Sequence, residues 1–333
     1  MTTKDIYDQN SRPHLVILGA GATMATIPNG DKNGLISSVM DNLINNLGLK
    51  QHLNGIKLNT NSTNLEDIYS ELYERKDCTE LRQILEEELR NYFSKLQLPD
   101  KPTIYDTMVL SLRKKDSIAS FNWDPLLLEA FDRVSYITDD LPELIFLHGN
   151  VNAGICLKDK HYGVLSNNCP KCNNKFQQTP LLYPIKNKDY ISDIFIKEQW
   201  EVIRQYLEKA LIVTIFGYGA PKTDQGAINL LQEGYGSSLR YFDEVEIIDK
   251  CKTEQMLFDT WNHFHTKSHG HLKIYRDFSE SYISKYPRRS VEARSKQNKG
   301  WWNKTPLSLK PFYNSFEELE NDFRITIENE YIS

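Results

Sequence analysis

The chain has 333 residues, 40% hydrophobic and 26% charged, enough for one large α/β domain with insertions or two small domains. Its formal net charge of -5 excludes a global basic field for a nucleic-acid backbone, which argues against direct nucleic-acid binding. No run approaches the ~20 apolar residues of a membrane span and no long apolar stretch precedes the first strand, so a cytoplasmic protein with no membrane role is expected.

Residues His14 to Leu18 form a short apolar run that ends in Gly19-Ala20-Gly21-Ala22-Thr23, a buried strand entering a glycine turn. Pro28, Asn29, Gly30, Asp31, Asn33 and Gly34 predict a loop. Apolar residues at helical spacing then predict helices from Leu35 to about Leu49 and from Asn64 to about Leu96. Residues 35–100 are therefore read as a helical insertion between the first two core strands.

A strand is predicted at Ser117–Phe121, a helix at Asp124–Arg133 and a strand at Leu144–Leu147, ending in His148-Gly149. Residues 150–180, rich in Asn, Lys, Cys and Gly, suggest a small module held by something other than an apolar core. Helix 191–209, strand 211–216, helix 224–232, strand 245–248 and helix 253–263 follow. This alternation predicts a doubly wound, mostly parallel Rossmann-like α/β sheet spanning 1–285. Residues 286–333 read as a tail with a terminal helix. Its Arg288, Arg289, Arg294 and Lys296 are expected to be a solvated basic run, and its Trp301-Trp302 pair either contacts another subunit or docks on the domain.

Four polar or glycine clusters fall at the carboxyl ends of predicted strands, where open α/β sheets bind their ligands. Gly19-Ala20-Gly21 lets backbone approach a pyrophosphate, or makes a plain tight turn. In Phe121-Asn122-Trp123-Asp124-Pro125, Asp124 is placed to cap the next helix with Pro125 at its first position. Asn122, one residue past a buried strand, suits a ribose hydroxyl or a water. His148 stands where an imidazole can act as a base near neutral pH, or be a satisfied structural histidine. Gly217-Tyr218-Gly219 offers a second close backbone approach.

Taken in order, G-A-G-A-T, I-P-x-G-D, F-N-W-D, L-H-G and G-Y-G with a downstream Asp resemble the sirtuin family over roughly residues 14–250. The likeness runs to its prokaryotic NAD-consuming members in antiviral defence. The resemblance implies NAD+ as substrate. It assigns Gly19, Ala20, Gly21 and Thr23 to a phosphate-binding loop, and Pro28 and Asp31 to the segment beside the nicotinamide ribose. Asn122 and Asp124 would position ribose and attacking water, with His148 the catalytic histidine. Gly217 and Tyr218 would form a second nucleotide-binding turn, and Asp249 would lie at the adenosine end. It further implies a homo-oligomer or a complex with a defence partner such as an ATPase or sensor.

Two departures from the deacylating members stand out. Phe121 precedes Asn122 where they have Gln, and Gly217-Tyr218-Gly219 replaces a Gly-Thr-Ser turn. The Asp-Phe-Arg run after Ile27-Pro28 is also missing. These favour NAD+ hydrolysis to nicotinamide and ADP-ribose over protein deacylation, with an NAD-dependent deacylase or ADP-ribosyltransferase as the alternative enzyme. A non-catalytic subunit that senses NAD or ADP-ribose is the remaining alternative.

The five cysteines, odd and scattered, do not suggest a disulfide framework. Cys169-Pro170-Lys171-Cys172 is a C-x-x-C knuckle, and with Cys156 and His161 it would supply a Cys₃His structural zinc site. His263, His265, His269 and His271 form a second cluster, without an acid or cysteine ligand in pattern.

Overall fold

The computed structural model describes residues 9–37, 40–185, 188–300, 309–310 and 312–330. The core is a six-stranded, all-parallel sheet of β1 (His14–Leu18), β2 (Ser117–Ser120), β3 (Glu143–Phe146), β7 (Ile212–Phe216), β8 (Glu244–Ile248) and β9 (Leu272–Tyr275). A small antiparallel sheet, ordered β5-β4-β6, is built from β4 (Ala153–Cys156), β5 (His161–Val164) and β6 (Gln177–Gln178). The main order is β3-β2-β1-β7-β8-β9, the doubly wound arrangement of dinucleotide-binding folds. Direction of winding reverses between β1 and β7. A ligand crevice is expected above that pair.

The central strands are buried along their whole length, as helices on both faces require. This is why β1 and β7 read as unbroken apolar runs rather than alternating ones. β9 was not expected; its short Leu272-Lys273-Ile274-Tyr275 alternation lies directly behind the histidine-rich stretch. The expected helix at 253–263 divides into Glu254–Thr260 and Asn262–Lys267, with buried Trp261 between them.

The insertion is helical, though more broken than the periodicity predicts. Helices Met40–Asn46 and Lys50–Leu53 replace one at 35–49. The 64–96 stretch splits into Leu65–Tyr73 and Thr79–Ser94 around a 3₁₀ turn at Lys76–Cys78. A further helix, Ile104–Leu110, brings Tyr105 under the first glycine loop and carries a Thr103/Asp106 capping box.

Beyond residue 285 the basic residues are not a solvated run. Arg288 is fully buried. It donates to Glu330 Oε2 at 2.5 Å, to Asp140 Oδ2 at 2.8 Å and to the Leu110 carbonyl at 3.1 Å. Arg294 pairs with Glu244 at 3.0 Å. These guanidinium groups satisfy buried carboxylates and a helix-end carbonyl, so charge here serves docking. Ser290 likewise reaches the sheet, 2.8 Å from His14 Nδ1, while His14 Nε2 stands 2.7 Å from Thr214 Oγ1. Trp301 and Trp302 lie outside the described residues. Among those described, no helix is long and apolar enough to cross a membrane.

Candidate functional site

At the switch point the two glycine turns are packed backbone to backbone. Gly19 N–H donates to Phe216 O at 3.0 Å, and Gly21 N–H to Gly217 O at 2.9 Å. A Cβ on Gly19 would stand 2.5 Å from Tyr218 Cα, and one on Gly217 would stand 2.3 Å from Ala22 N. Gly217 also has φ +63, in the region that favours glycine. These residues are glycine because the loops cross with no room for a side chain. Exposed Ala20 opens the helix Ala20–Thr26, whose N-cap, Gly19, has no side-chain cap.

Asn122 is half-buried and clamped at this edge. Its Nδ2 donates to Gly19 O and to Thr23 Oγ1, each at 2.9 Å, and lies 3.4 Å from the Tyr105 hydroxyl. Thr23 in turn donates to Asp124 Oδ2 at 2.8 Å. Burial pushes the Asp124 carboxyl up to about 6, against the hydrogen bond from Thr23. Asp124 Oδ1 also accepts the Leu126 N–H at 3.2 Å, but the helix Leu126–Val134 begins one residue later than expected, so Pro125 is its N-cap and Asp124 stands just before it. No hydrogen bond among the described residues reaches Asn122 Oδ1, the atom left to meet a hydroxyl or a water.

His148 follows β3 and is buried. Its Nε2 has no hydrogen-bond partner among the described residues and lies 4.0 Å from Asp224 Oδ1. Lys188 Nζ bonds the same oxygen, and the Tyr218 hydroxyl donates to Asp224 Oδ2 at 3.0 Å. The Phe121 ring meets His148 edge-on at 4.8 Å and stacks on Tyr218 at 4.0 Å and 5°. Burial pushes His148 down to about 4; Asp224 opposes this and Lys188 adds to it. The imidazole is therefore neutral at pH 7.

The structure does not join Asn122 to His148. They share no hydrogen-bond partner: the amide faces the first glycine loop and the imidazole faces Asp224 and Lys188. Outside Tyr190 and Trp200 a cleft of about 1020 Å³ opens between the helices Ile194–Lys209 and Gln225–Tyr235. Both aromatic rings back onto the His148–Phe121 contact, Tyr190 at 6.2 Å from His148 and Trp200 at 6.0 Å from Phe121.

The other expected residues take mostly local roles. Asp31 is buried and organises its own loop, accepting N–H groups from Asn33 at 2.8 Å, Leu35 at 2.7 Å and Gln97 at 3.1 Å. Pro28 is exposed beside it. Asp249 directly follows β8, where its Oδ1 caps the turn by accepting from Cys251 and Lys252 N–H, each at 2.8 Å. Lys252 Nζ reaches back to Gly219 O at 2.5 Å, tying that turn to the second glycine loop.

In the small module, Cys156, Asp159, Cys169 and Cys172 bring four ligand atoms within 4.8 Å of one another. The Cys156 and Cys172 sulfurs are 3.5 Å apart, and Asp159 Oδ2 lies 3.6 Å from Cys156 Sγ and 3.4 Å from Cys169 Sγ. Ligands ~2.3 Å from a tetrahedral zinc stand about 3.7 Å apart, so this donor set fits that ion. His161 is outside the group. It pairs with Cys156 across the β4–β5 ladder, but its ring lies against Phe176, centroids 6.3 Å apart. Asp159 takes the fourth position instead. The Cys156-Leu157-Lys158-Asp159 spacing mirrors the C-x-x-C knuckle and was the signal for it.

The second histidine cluster disperses. His263 Nε2 stands 3.2 Å from Gly236 O, His265 and His269 meet Phe258 and Tyr241 edge-on, and His271 Nδ1 lies 2.9 Å from Arg294. Lys188, Asp224 and Tyr105 are the residues that sequence reasoning did not place at the site. Tyr105 and Lys188 carry no motif, and Asp224 shows only as an acid shortly after the second glycine turn.

No family model matches the chain, and no curated protein does. Among solved structures it is similar to a Sir2 homologue–NAD complex at 12% identity, covering 89% of this chain and 95% of that one, with a TM-score of 0.40. It is also similar to a Sir2 homologue mutant with ADP-ribose at 11% identity, covering 90% and 98%, TM-score 0.37. A third is a Sir2 mutant with deacetylated p53 peptide and 3'-O-acetyl ADP-ribose, at 14% identity, covering 90% and 99%, TM-score 0.36.

Proposed function

We propose that this chain binds NAD+ across the β1/β7 switch point and hydrolyses its nicotinamide–ribose bond. The observation that carries the reading is the crossing of Gly19, Gly21 and Gly217 at the carboxyl edge of a 3-2-1-4-5-6 sheet, with Asn122 fastened directly to it. Such an edge suits a pyrophosphate, and the sequence motifs on it resemble those of NAD-consuming sirtuins.

Breaking the glycosidic bond builds oxocarbenium-like charge on the ribose, and nicotinamide departs with the bonding electron pair as a neutral amide. Water supplies the new bond to C1′. Asn122 orients that water or a ribose hydroxyl through Oδ1, and His148, neutral at pH 7, takes the proton released. Positioning and general-base assistance together account for the acceleration, the latter typically ~10²–10⁴-fold. The Cys156–Asp159–Cys169–Cys172 group would hold zinc as a closed structural site, away from this chemistry. A role as a toxic effector of antiviral defence, assembled as a homo-oligomer or with a sensor or ATPase, belongs to the same proposal.

The test is incubation with NAD+ and chromatographic detection of nicotinamide, comparing the parent with Asn122→Ala and His148→Ala. Loss of product in both variants supports the reading, and two variants as active as an active parent refute it. Acylated-peptide turnover without free NAD+ loss would indicate a deacylase. A second reading, NAD or ADP-ribose sensing without turnover, is favoured by one observation: His148 is only 5% exposed and is not joined to Asn122. Calorimetric binding with no nicotinamide release would establish it.

A further inference from the structure

Resting on the reading of His148 as the base, we infer that Asp224 is its positioning residue and that Lys188 is the counter-charge holding Asp224 in check. The three side chains come from three separate elements: the end of β3, the segment before the helix Ile194–Lys209, and the turn after β7. They converge on one oxygen. Asp224 Oδ1 takes the Lys188 ammonium and lies 4.0 Å from His148 Nε2, while Oδ2 is occupied by the Tyr218 hydroxyl.

The nitrogen facing that oxygen is buried and has no hydrogen-bond partner among the described residues. Proton uptake leaves the imidazolium with an N–H on both ring nitrogens, Nε2 included, and a buried N–H⁺ must find an acceptor. Asp224 Oδ1 is placed to be that acceptor after a small side-chain shift. Lys188 competes for the same oxygen, so the ion pair lowers the carboxylate's hold on the imidazolium. The described titratable and charged groups around His148 are Asp224 and Tyr218 from the second glycine loop, and Lys188 and Tyr190 from the segment before the helix. Glu66 is linked through Thr223, whose hydroxyl donates to it at 2.8 Å. The directions of the shifts agree: Asp224 raises the His148 pKa and Lys188 lowers it.

The experiment is a proton–carbon NMR titration of the imidazole C–H signals in the full chain without NAD+, the His148 signal being assigned by its loss in His148→Gln. Lys188→Met is expected to raise the His148 midpoint by about a unit, and Asp224→Asn to lower it further. Each single change leaves a buried charge unpaired, so the double variant Lys188→Met/Asp224→Asn is the folding control. Its midpoint is expected close to the parent's, because opposing influences are removed together. An unchanged midpoint in both single variants overturns the inference. In turnover, Asp224→Asn is expected to lower kcat roughly 10–100-fold with little change in KM. Opposite NMR shifts in a parent inert towards NAD+ would sustain the pairing and refute the hydrolase reading.

Discussion

Gly21 donates its backbone N–H to the carbonyl of Gly217 at 2.9 Å, so two loops almost two hundred residues apart in sequence share a hydrogen bond above the sheet. Gly217→Ala is expected to cost about 2 kcal/mol or more, from its left-handed backbone and a Cβ driven into Ala22. It should also abolish NAD+ binding. Gly219→Ala is the contrast, since its Cβ would meet nothing nearer than Lys252 Nζ at 3.7 Å. Denaturant midpoints and calorimetry check both, and equal effects of the two changes would count against the crossing.

Thr23→Val is nearly isosteric, yet it strips Asn122 and Asp124 of a common partner. A loss of about 1–3 kcal/mol is expected, because a buried carboxylate is left short of a donor. Urea unfolding measures it. A change within ~0.5 kcal/mol would mean the network is not a network.

How much of this could be read from the chain alone divides along a physical line. Strands buried on both faces are unbroken apolar runs, so β1 and β7 were legible, as were the turns that end them. The short strand β9 was hidden behind four histidines whose composition drew the eye to metal binding. Arg288 and Arg294 looked like solvent-facing charge because their partners, Glu330, Asp140 and Glu244, lie far away in sequence. Asn122 and His148 were legible as residues at strand ends. That they engage different partners is a matter of rotamers and of Phe121 and Tyr218 stacking, which no spacing encodes.

For the cysteine module, elemental analysis is expected to find one zinc per chain, and cobalt substitution a thiolate charge-transfer band. Asp159→Ala should weaken metal affinity by tenfold or more, while His161→Ala should leave it alone. The reverse ranking would restore His161 as the fourth ligand.

Glu246 sits fully buried in the sheet, bonded by Thr214 at 2.8 Å and by Tyr282 N–H at 3.0 Å, and burial pushes it up to about 7. Raised above its unfolded value of 4.5, it contributes fully to stability below that pH, and the contribution is lost as pH rises through about 7. The melting temperature of Glu246→Gln relative to the parent should therefore climb between pH 5 and pH 9. The full swing corresponds to roughly 3 kcal/mol. A difference independent of pH would show that this carboxyl titrates normally.

Because Gly19, Gly21 and Gly217 cannot carry a side chain without striking the opposite loop, the two cannot diverge separately. Anyone grafting this edge onto another scaffold, or re-aiming it towards a different nucleotide, would have to transplant both turns as a single unit at their present spacing. One half alone would arrive without the surface that moulds it.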